Sequence, residues 1–178
     1  MILHFINFVN KLNEKVGRAT AWITSFLILL VCFDVIARKL FNFSKIWIME
    51  LEWHLYALIF LFGAGYALKH DRHVRVDLFY EKFTDKEKAL TNFCGHLLFL
   101  IPWCLLVIIT SYHYAVESFI INEGSAEPGG LPALYLIKFS ITIGICLLLL
   151  QAVTGLAETG LLLFKKKGND QEEAISSH

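Results

Sequence analysis

The chain has 178 residues, of which 56% are hydrophobic and only 18% charged, with sixteen basic and sixteen acidic side chains in balance. Soluble domains run at about 45–50% apolar and about 25% charged, so this composition excludes an ordinary soluble globule. A net charge of zero supplies no basic field for nucleic acid. The four cysteines (Cys32, Cys94, Cys104, Cys146) are scattered through apolar stretches without CxxC or Cys/His spacing, which argues against a zinc site.

Residues 1–18 place Ile2, Phe5, Ile6, Val9, Leu12 and Val16 at helical spacing, with Asn10, Lys11, Asn13, Glu14 and Lys15 opposite. That pattern predicts an amphipathic helix lying in the headgroup region before the chain turns into a membrane. No small-residue cleavage site follows the first long apolar run, so that run is expected to remain as an anchor.

A membrane-spanning helix needs about 20 mostly apolar residues, because the hydrocarbon core is about 30 Å thick and each residue rises 1.5 Å. Four windows qualify: 19–37, with Asp34 near its end; 47–68, with Glu50, Glu52 and His54 at its start; 97–116; and 139–157, which the apolar run Gly160 to Phe164 extends to 164. The predicted fold class is an all-α integral membrane protein of four transmembrane helices. Between the second and third windows, 69–91 reads as a cytoplasmic interfacial segment in which Val74, Val76, Leu78, Phe79 and Phe83 seat a second short helix. Residues 117–132, with Gly124, Pro128, Gly129, Gly130 and Pro132, read as an irregular periplasmic loop, and 165–178 as a cytoplasmic tail.

Orientation follows from Lys and Arg. With the N-terminus inside, Lys11, Lys15, Arg18, Lys69, Arg72, Arg75, Lys82, Lys86, Lys88, Lys165, Lys166 and Lys167 face the cytoplasm, and only Arg38, Lys39, Lys45 and Lys138 lie opposite. An N-in, C-in arrangement is expected. Arg38 and Lys39 close the first helix and Glu50 and Glu52 open the second, so an ion pair near the outer interface is expected there, with Trp47 as an interfacial anchor. At mid-membrane each such charge would cost about 2.5–3.5 kcal/mol on insertion scales; near the interface the cost is small.

Two chemistries are weighed against a purely structural chain. Haem between helices needs two imidazoles at one depth, and His54 with His113 is the candidate pair; His96 and His113 stand at opposite ends of the third window. Self-contained export needs an ionisable group at mid-membrane, whereas Asp34, Glu50 and Glu158 all sit near window ends. Discontinuous helices and inverted repeats, which build transporter binding sites, are likewise not evident. A partner is the natural inference. Gly63-Ala64-Gly65 with Ala67, Ser140 with Gly144, and Gly155 with Thr159 give small-residue faces for close helix approach, within the chain or to another subunit. Pro102 is tolerable early in the third helix, and Trp103 is expected to mark the inner interface.

An ordered set of pieces then resembles the small membrane subunit, DctQ-like, of tripartite ATP-independent periplasmic (TRAP) transporters. Arg38 is followed by Phe41-Asn42 and Ser44; Trp47 leads into Glu50-Leu51; Leu61-Phe62-Gly63-Ala64 lies in the second helix. Ala67-Leu68 precedes His73-Val74-Arg75-Val76-Asp77, and a loop with Pro128, Gly129 and Pro132 precedes the last helix. Lys39, at a usually aromatic position, and His54 depart from the pattern. The resemblance implies a scaffold in the bacterial inner membrane, not an enzyme, in a sodium-driven system for small organic acids, typically carboxylates. A soluble periplasmic binding protein captures the substrate and a large, elevator-type membrane subunit moves it; the small subunit packs against the large one and helps dock the binding protein. Sodium and substrate ligands then belong to the large subunit, leaving this chain without cofactor, metal or catalytic residues and with membrane lipid as a further partner. Interface candidates are Arg38, Trp47, Glu50, Gly63, His73, Arg75 and Asp77, the last three fixing the turn out of the second helix. Lys39, Lys45, Glu117, Glu123 and Glu127 are the docking candidates.

Overall fold

The computed structural model describes residues 2–70 and 83–176. These form five α-helices: α1 (Ile2–Phe41), α2 (Ile46–Lys69), α3 (Asp85–Gly95), α4 (Ile101–Ile120) and α5 (Tyr135–Ser176). A π-turn, His96–Leu100, joins α3 to α4. Four helical stretches, Ile2–Phe41, Ile46–Lys69, Glu87–Ile120 and Tyr135–Leu161, are long and apolar enough to cross a membrane. No strand occurs among the described residues. The all-α membrane fold is therefore as expected.

The first helix departs from its predicted division. Instead of an interfacial lead and a separate span, α1 runs unbroken for 40 residues. Its buried positions explain the continuity: Ile6, Val9, Asn13, Thr20, Asp34 and Ala37 form one inward stripe in unbroken helical phase. Gly17, the one weak point for helix propensity there, is held by packing. A Cβ at Gly17 would come within 2.3 Å of the Tyr66 ring, so the missing methyl seats that aromatic. Asn13, expected on the polar outer face, is fully buried.

Asn42, at φ 48°, ends α1 in the left-handed region, which asparagine tolerates better than most residues. The end of α4 is a Schellman motif: Glu123 N–H donates to Ser118 O at 3.0 Å and Asn122 N–H to Phe119 O at 3.1 Å, with Asn122 at φ 47°. Thr84 begins α3 with a capping box to Glu87. The π-turn has a local cause in Pro102, which lacks an N–H and presses its ring toward the carbonyl one turn back. The helix absorbs this with a wider turn in which Ile101 N–H bonds His96 O.

The helices form a row rather than a closed ring. α5 packs against α4, α2, α3 and α1, and α1 also lies along α2, while α1 and α4 share no substantial contact. Accordingly 39% of the apolar window of α5 is buried within the chain, against 6–11% for the other three spans. The core between α2, α4 and α5 is built on Cys104, Ile145 and Leu148, with Ala64, Leu68, Val107 and Ile141 around them. Glycine sets the closest approach: a Cβ at Gly144 would lie 2.8 Å from Leu61 Cβ and 3.0 Å from Leu61 O. A Cβ at Gly65 would lie 2.5 Å from Asn13 Oδ1. The small-residue faces therefore mate inside the chain at Gly65 and Gly144. Gly63, the interface candidate, meets only Thr20 at an ordinary 3.9 Å. The predicted interfacial helix on 74–83 lies almost wholly outside the described residues.

Candidate functional site

Polar chemistry concentrates at the two ends of the row. At the end carrying the 121–134 loop, Glu50 sits just past the first turn of α2 and is buried. Its carboxylate accepts from Ser125 Oγ and, at 2.5 Å, from Leu131 N–H, so it pins the loop to the helix. Gly129 bends this loop at φ 82°, and Gly130 permits the close approach: a Cβ there would fall 2.3 Å from Ser125 Oγ and 2.7 Å from Glu50 Oε1. Within the loop, Ser125 N–H bonds Leu131 O at 3.0 Å and Leu134 N–H bonds Glu123 O at 2.9 Å. Glu123 also accepts from Lys138 Nζ at 2.5 Å, and the same ammonium lies 3.8 Å from the centre of the Tyr114 ring. The Lys138 ammonium holds the Glu123 carboxyl below the ordinary carboxylate value.

The ion pair expected between the first and second helices is not the one observed. Arg38 pairs one turn back with the buried Asp34 on its own helix, while Glu50 is occupied by the loop. The i,i+4 geometry brings Arg38 to Asp34 without ordering any loop, whereas Glu50 finds donors that only the folded 125–131 segment supplies. Of the docking candidates, Lys39 and Glu117 are exposed, Lys45 stands 5.6 Å over the Phe43 ring, and Glu127 is exposed on the loop. Trp47 is exposed at the start of α2. His73, Arg75 and Asp77 lie outside the described residues.

At the opposite end an amide ladder links α1 to α5. Asn13 Nδ2 donates to Gln151 Oε1 at 2.8 Å, Gln151 Nε2 to Asn10 Oδ1 at 3.0 Å, and Asn10 Nδ2 to Glu158 Oε1 at 3.3 Å. Beside it Glu14 accepts from Lys69 Nζ at 2.6 Å and contacts His70 Nε2 at 3.2 Å and Arg18 Nε at 3.4 Å. These contacts place the start of α1, the end of α2 and the second half of α5 at one end of the molecule.

The haem pair does not assemble. His54 Nδ1 lies 2.5 Å from Glu50 O, its ring against Trp53, and His113 stands exposed on α4. The two imidazoles belong to helices that share no substantial contact.

Residues 27–159 match the family described as tripartite ATP-independent periplasmic transporters, DctQ component. The chain belongs to this family. The match takes in the C-terminal part of α1, all of α2 and α4, the 121–134 loop and most of the apolar length of α5, so the Gly144–Leu61 contact and the Glu50 latch fall within it, while Asn13, which Gly65 meets, precedes it. A relative, the sialic acid TRAP transporter permease protein SiaT of Haemophilus influenzae (strain 86-028NP), is 28% identical over 120 residues. That alignment covers 67% of this chain and 18% of the relative, so the chain spans less than a fifth of that protein's length. As a DctQ component the chain is a small permease subunit of a TRAP transporter, a transport component. The family motif acquires a local meaning: Asn42 is the stop of α1 and Glu50 the latch for the loop. The contacts made by Ser125, Gly130, Lys138 and the amide ladder are not expected from the sequence. Of these only Gly130 stands in a stretch with a sequence signal, the Pro128-Gly129-Gly130 run that reads as an irregular loop.

Proposed function

We propose that this DctQ-family chain is the small scaffold subunit of a sodium-coupled importer of small organic acids, typically carboxylates. In this reading it sits in the bacterial inner membrane with both termini in the cytoplasm. It packs against a large, elevator-type membrane subunit and helps a periplasmic substrate-binding protein dock on the end built from 38–52 and 117–132. Sodium and substrate belong to the large subunit.

One observation carries the reading. The chain spends its polar groups on holding itself together at the two ends, through the Glu50 latch and the amide ladder, while α1 and α4 keep broad apolar faces open. Trp22, Phe26, Leu29 and Phe33 on α1, and Phe99 of the π-turn with Trp103 and Leu106 of α4, remain exposed. Such a frame offers surface to lipid and to a second membrane protein, and no ionisable group in its central turns for carrying solute. The relative's far greater length supports a large partner beyond what this chain covers. The test is co-purification from mild detergent, followed by uptake in proteoliposomes under a sodium gradient. A larger polytopic protein should come down with the chain, and omission of either should abolish uptake of the acid. Recovery of the chain alone, with full uptake by the large protein without it, refutes the reading.

A further inference from the structure

At the loop end, residues of α1 and α2 line a groove of about 730 Å³. Its wall changes character along its length. Leu27 and Val31 of α1 and Tyr56 of α2 line the deep part, and Arg38, Glu52 and Glu127 gather at the mouth with Trp53 beside them. Leu27 to Arg38 is eleven residues of helix, about 16 Å. This is about half of a 30 Å hydrocarbon core, the depth that one leaflet's acyl chain occupies.

The mouth has unmatched chemistry. Glu50 spends its carboxylate on Ser125 and Leu131. Glu52, by contrast, has a buried Oε1 with no hydrogen-bond partner, and an acceptor left so is costly unless something donates to it. Arg38 gives one nitrogen to Asp34, and a guanidinium carries five N–H donors in all. The mouth thus sets a donor-rich cation beside two carboxylates at the top of an apolar slot.

We propose that this groove binds a phospholipid with a primary-amine headgroup, phosphatidylethanolamine in chemical class. One acyl chain lies on Leu27, Val31 and Tyr56, the phosphate meets Arg38, and the ammonium donates to Glu52 Oε1 and Glu127. The primary amine is the discriminating feature. A choline headgroup has the same charge and no N–H, so it leaves Glu52 Oε1 unsatisfied. A glycerol headgroup leaves the phosphate on Arg38 as before but brings no positive charge to the Glu52 and Glu127 carboxylates. The inference rests on the membrane reading alone, so failure of the uptake experiment does not touch it.

The full chain, purified and delipidated in mild detergent, is titrated with short-chain phosphatidylethanolamine, phosphatidylcholine and phosphatidylglycerol, and bound lipid is read by native mass spectrometry. Phosphatidylethanolamine should bind about tenfold more tightly than phosphatidylcholine, the scale of one charge-assisted hydrogen bond. Glu52→Gln should bring the two to parity, and Val31→Trp, which fills the slot, should weaken all three. If Glu52→Gln does not fold, Glu127→Gln on the exposed loop gives the same reading through a reduced preference. Equal or tighter binding of phosphatidylcholine, as Trp53 and Tyr56 would favour if cation–π contact ruled, overturns the proposal. So does a preference for phosphatidylglycerol, or an ethanolamine preference unchanged in the carboxylate variants.

Discussion

Gly144 and Gly63 look equivalent in the sequence, each a small residue on an apolar helix, yet their surroundings demand opposite responses to a methyl group. At Gly144 the added carbon would meet the Cβ and backbone oxygen of Leu61 at 2.8 and 3.0 Å, and backbone cannot swing away. Gly144→Leu should therefore push α2 from α5 and cost about 1–3 kcal/mol, the usual penalty for overpacking. Gly63→Ala, with only Thr20 at 3.9 Å, should unfold in detergent–denaturant titration like the parent. A loss at Gly63 equal to that at Gly144 would contradict the row of helices described here. Gln151 is the second residue where one change has large consequences, because it accepts from Asn13 and donates to Asn10. Interhelical hydrogen bonds in membranes are worth about 0.6 kcal/mol on average and at most about 2. Gln151→Leu should lose about 1–2 kcal/mol and Asn13→Leu a similar amount, with the double variant well short of the sum, since both remove the same bond. The first half of this ladder was hidden in the sequence for a definite reason. Asn13 falls among Lys11, Glu14 and Lys15, so composition assigns it to water, and only the helix phase carried through Gly17 turns it inward.

Helices and connections differ in how far local sequence governs them. The four spans were legible because apolar length is a property of contiguous residues, and the stops at Asn42 and Asn122 act within one turn. The 121–134 loop depends on donors and acceptors far apart in sequence: Glu50 reaches Ser125 and Leu131 across more than seventy positions, and Lys138 reaches back to Glu123. Charge pattern alone suggested Arg38 for Glu50, since it cannot report a backbone N–H that a glycine turn brings into reach. Because the loop is fastened by ionised carboxylates, its order should depend on pH, with a sign that can be worked out. The folded-state pKa of Glu123 is depressed below the ordinary 4.5, so its contribution is complete above that value and fades as pH falls below it. Hydrogen exchange of residues 121–134 should be slow and constant from pH 7 down to pH 5, after correction for intrinsic rates, and rise on further acidification. Glu123→Gln should exchange faster throughout and lose much of that acid dependence. Glu50→Ala should expose the same loop to proteases at pH 7 while leaving α4 and α5 protected. A loop equally protected in Glu50→Ala would show that the latch does not hold it.

An open row of helices would be unstable in water, where the apolar faces of α1 and α4 would collapse on something. In lipid that drive is missing, because acyl chains are as apolar as leucine and helices associate only where packing or polar bonds reward them. This explains why the chain concentrates its tight contacts on α5 and leaves Trp22 and Leu29 at one side, and Phe99 and Leu106 at the other, without cover. It also makes the membrane topology a whole-molecule consequence of a few contacts. Asn10 bonds Glu158 and Glu14 bonds Lys69, which puts the start of α1 with the ends of α2 and the apolar part of α5; Glu50 bonds Ser125, which puts the α1–α2 turn with the 121–134 loop. The proposed topology, with an even crossing number and both termini on one side, is consistent with that pairing, and the Lys and Arg distribution is the ground on which it chooses the side. In a variant lacking the four native cysteines, a membrane-impermeant maleimide applied to spheroplasts should label Ser44→Cys and Ala126→Cys directly. Lys11→Cys should be labelled only after the membrane is opened. Labelling of Lys11→Cys with protection of the other two would invert the assignment and remove the 38–52 and 117–132 surface from the periplasm, and with it any role in receiving a binding protein. Labelling of Ser44→Cys and Lys11→Cys from the same side would break the pairing itself, because α1 could then not cross between them.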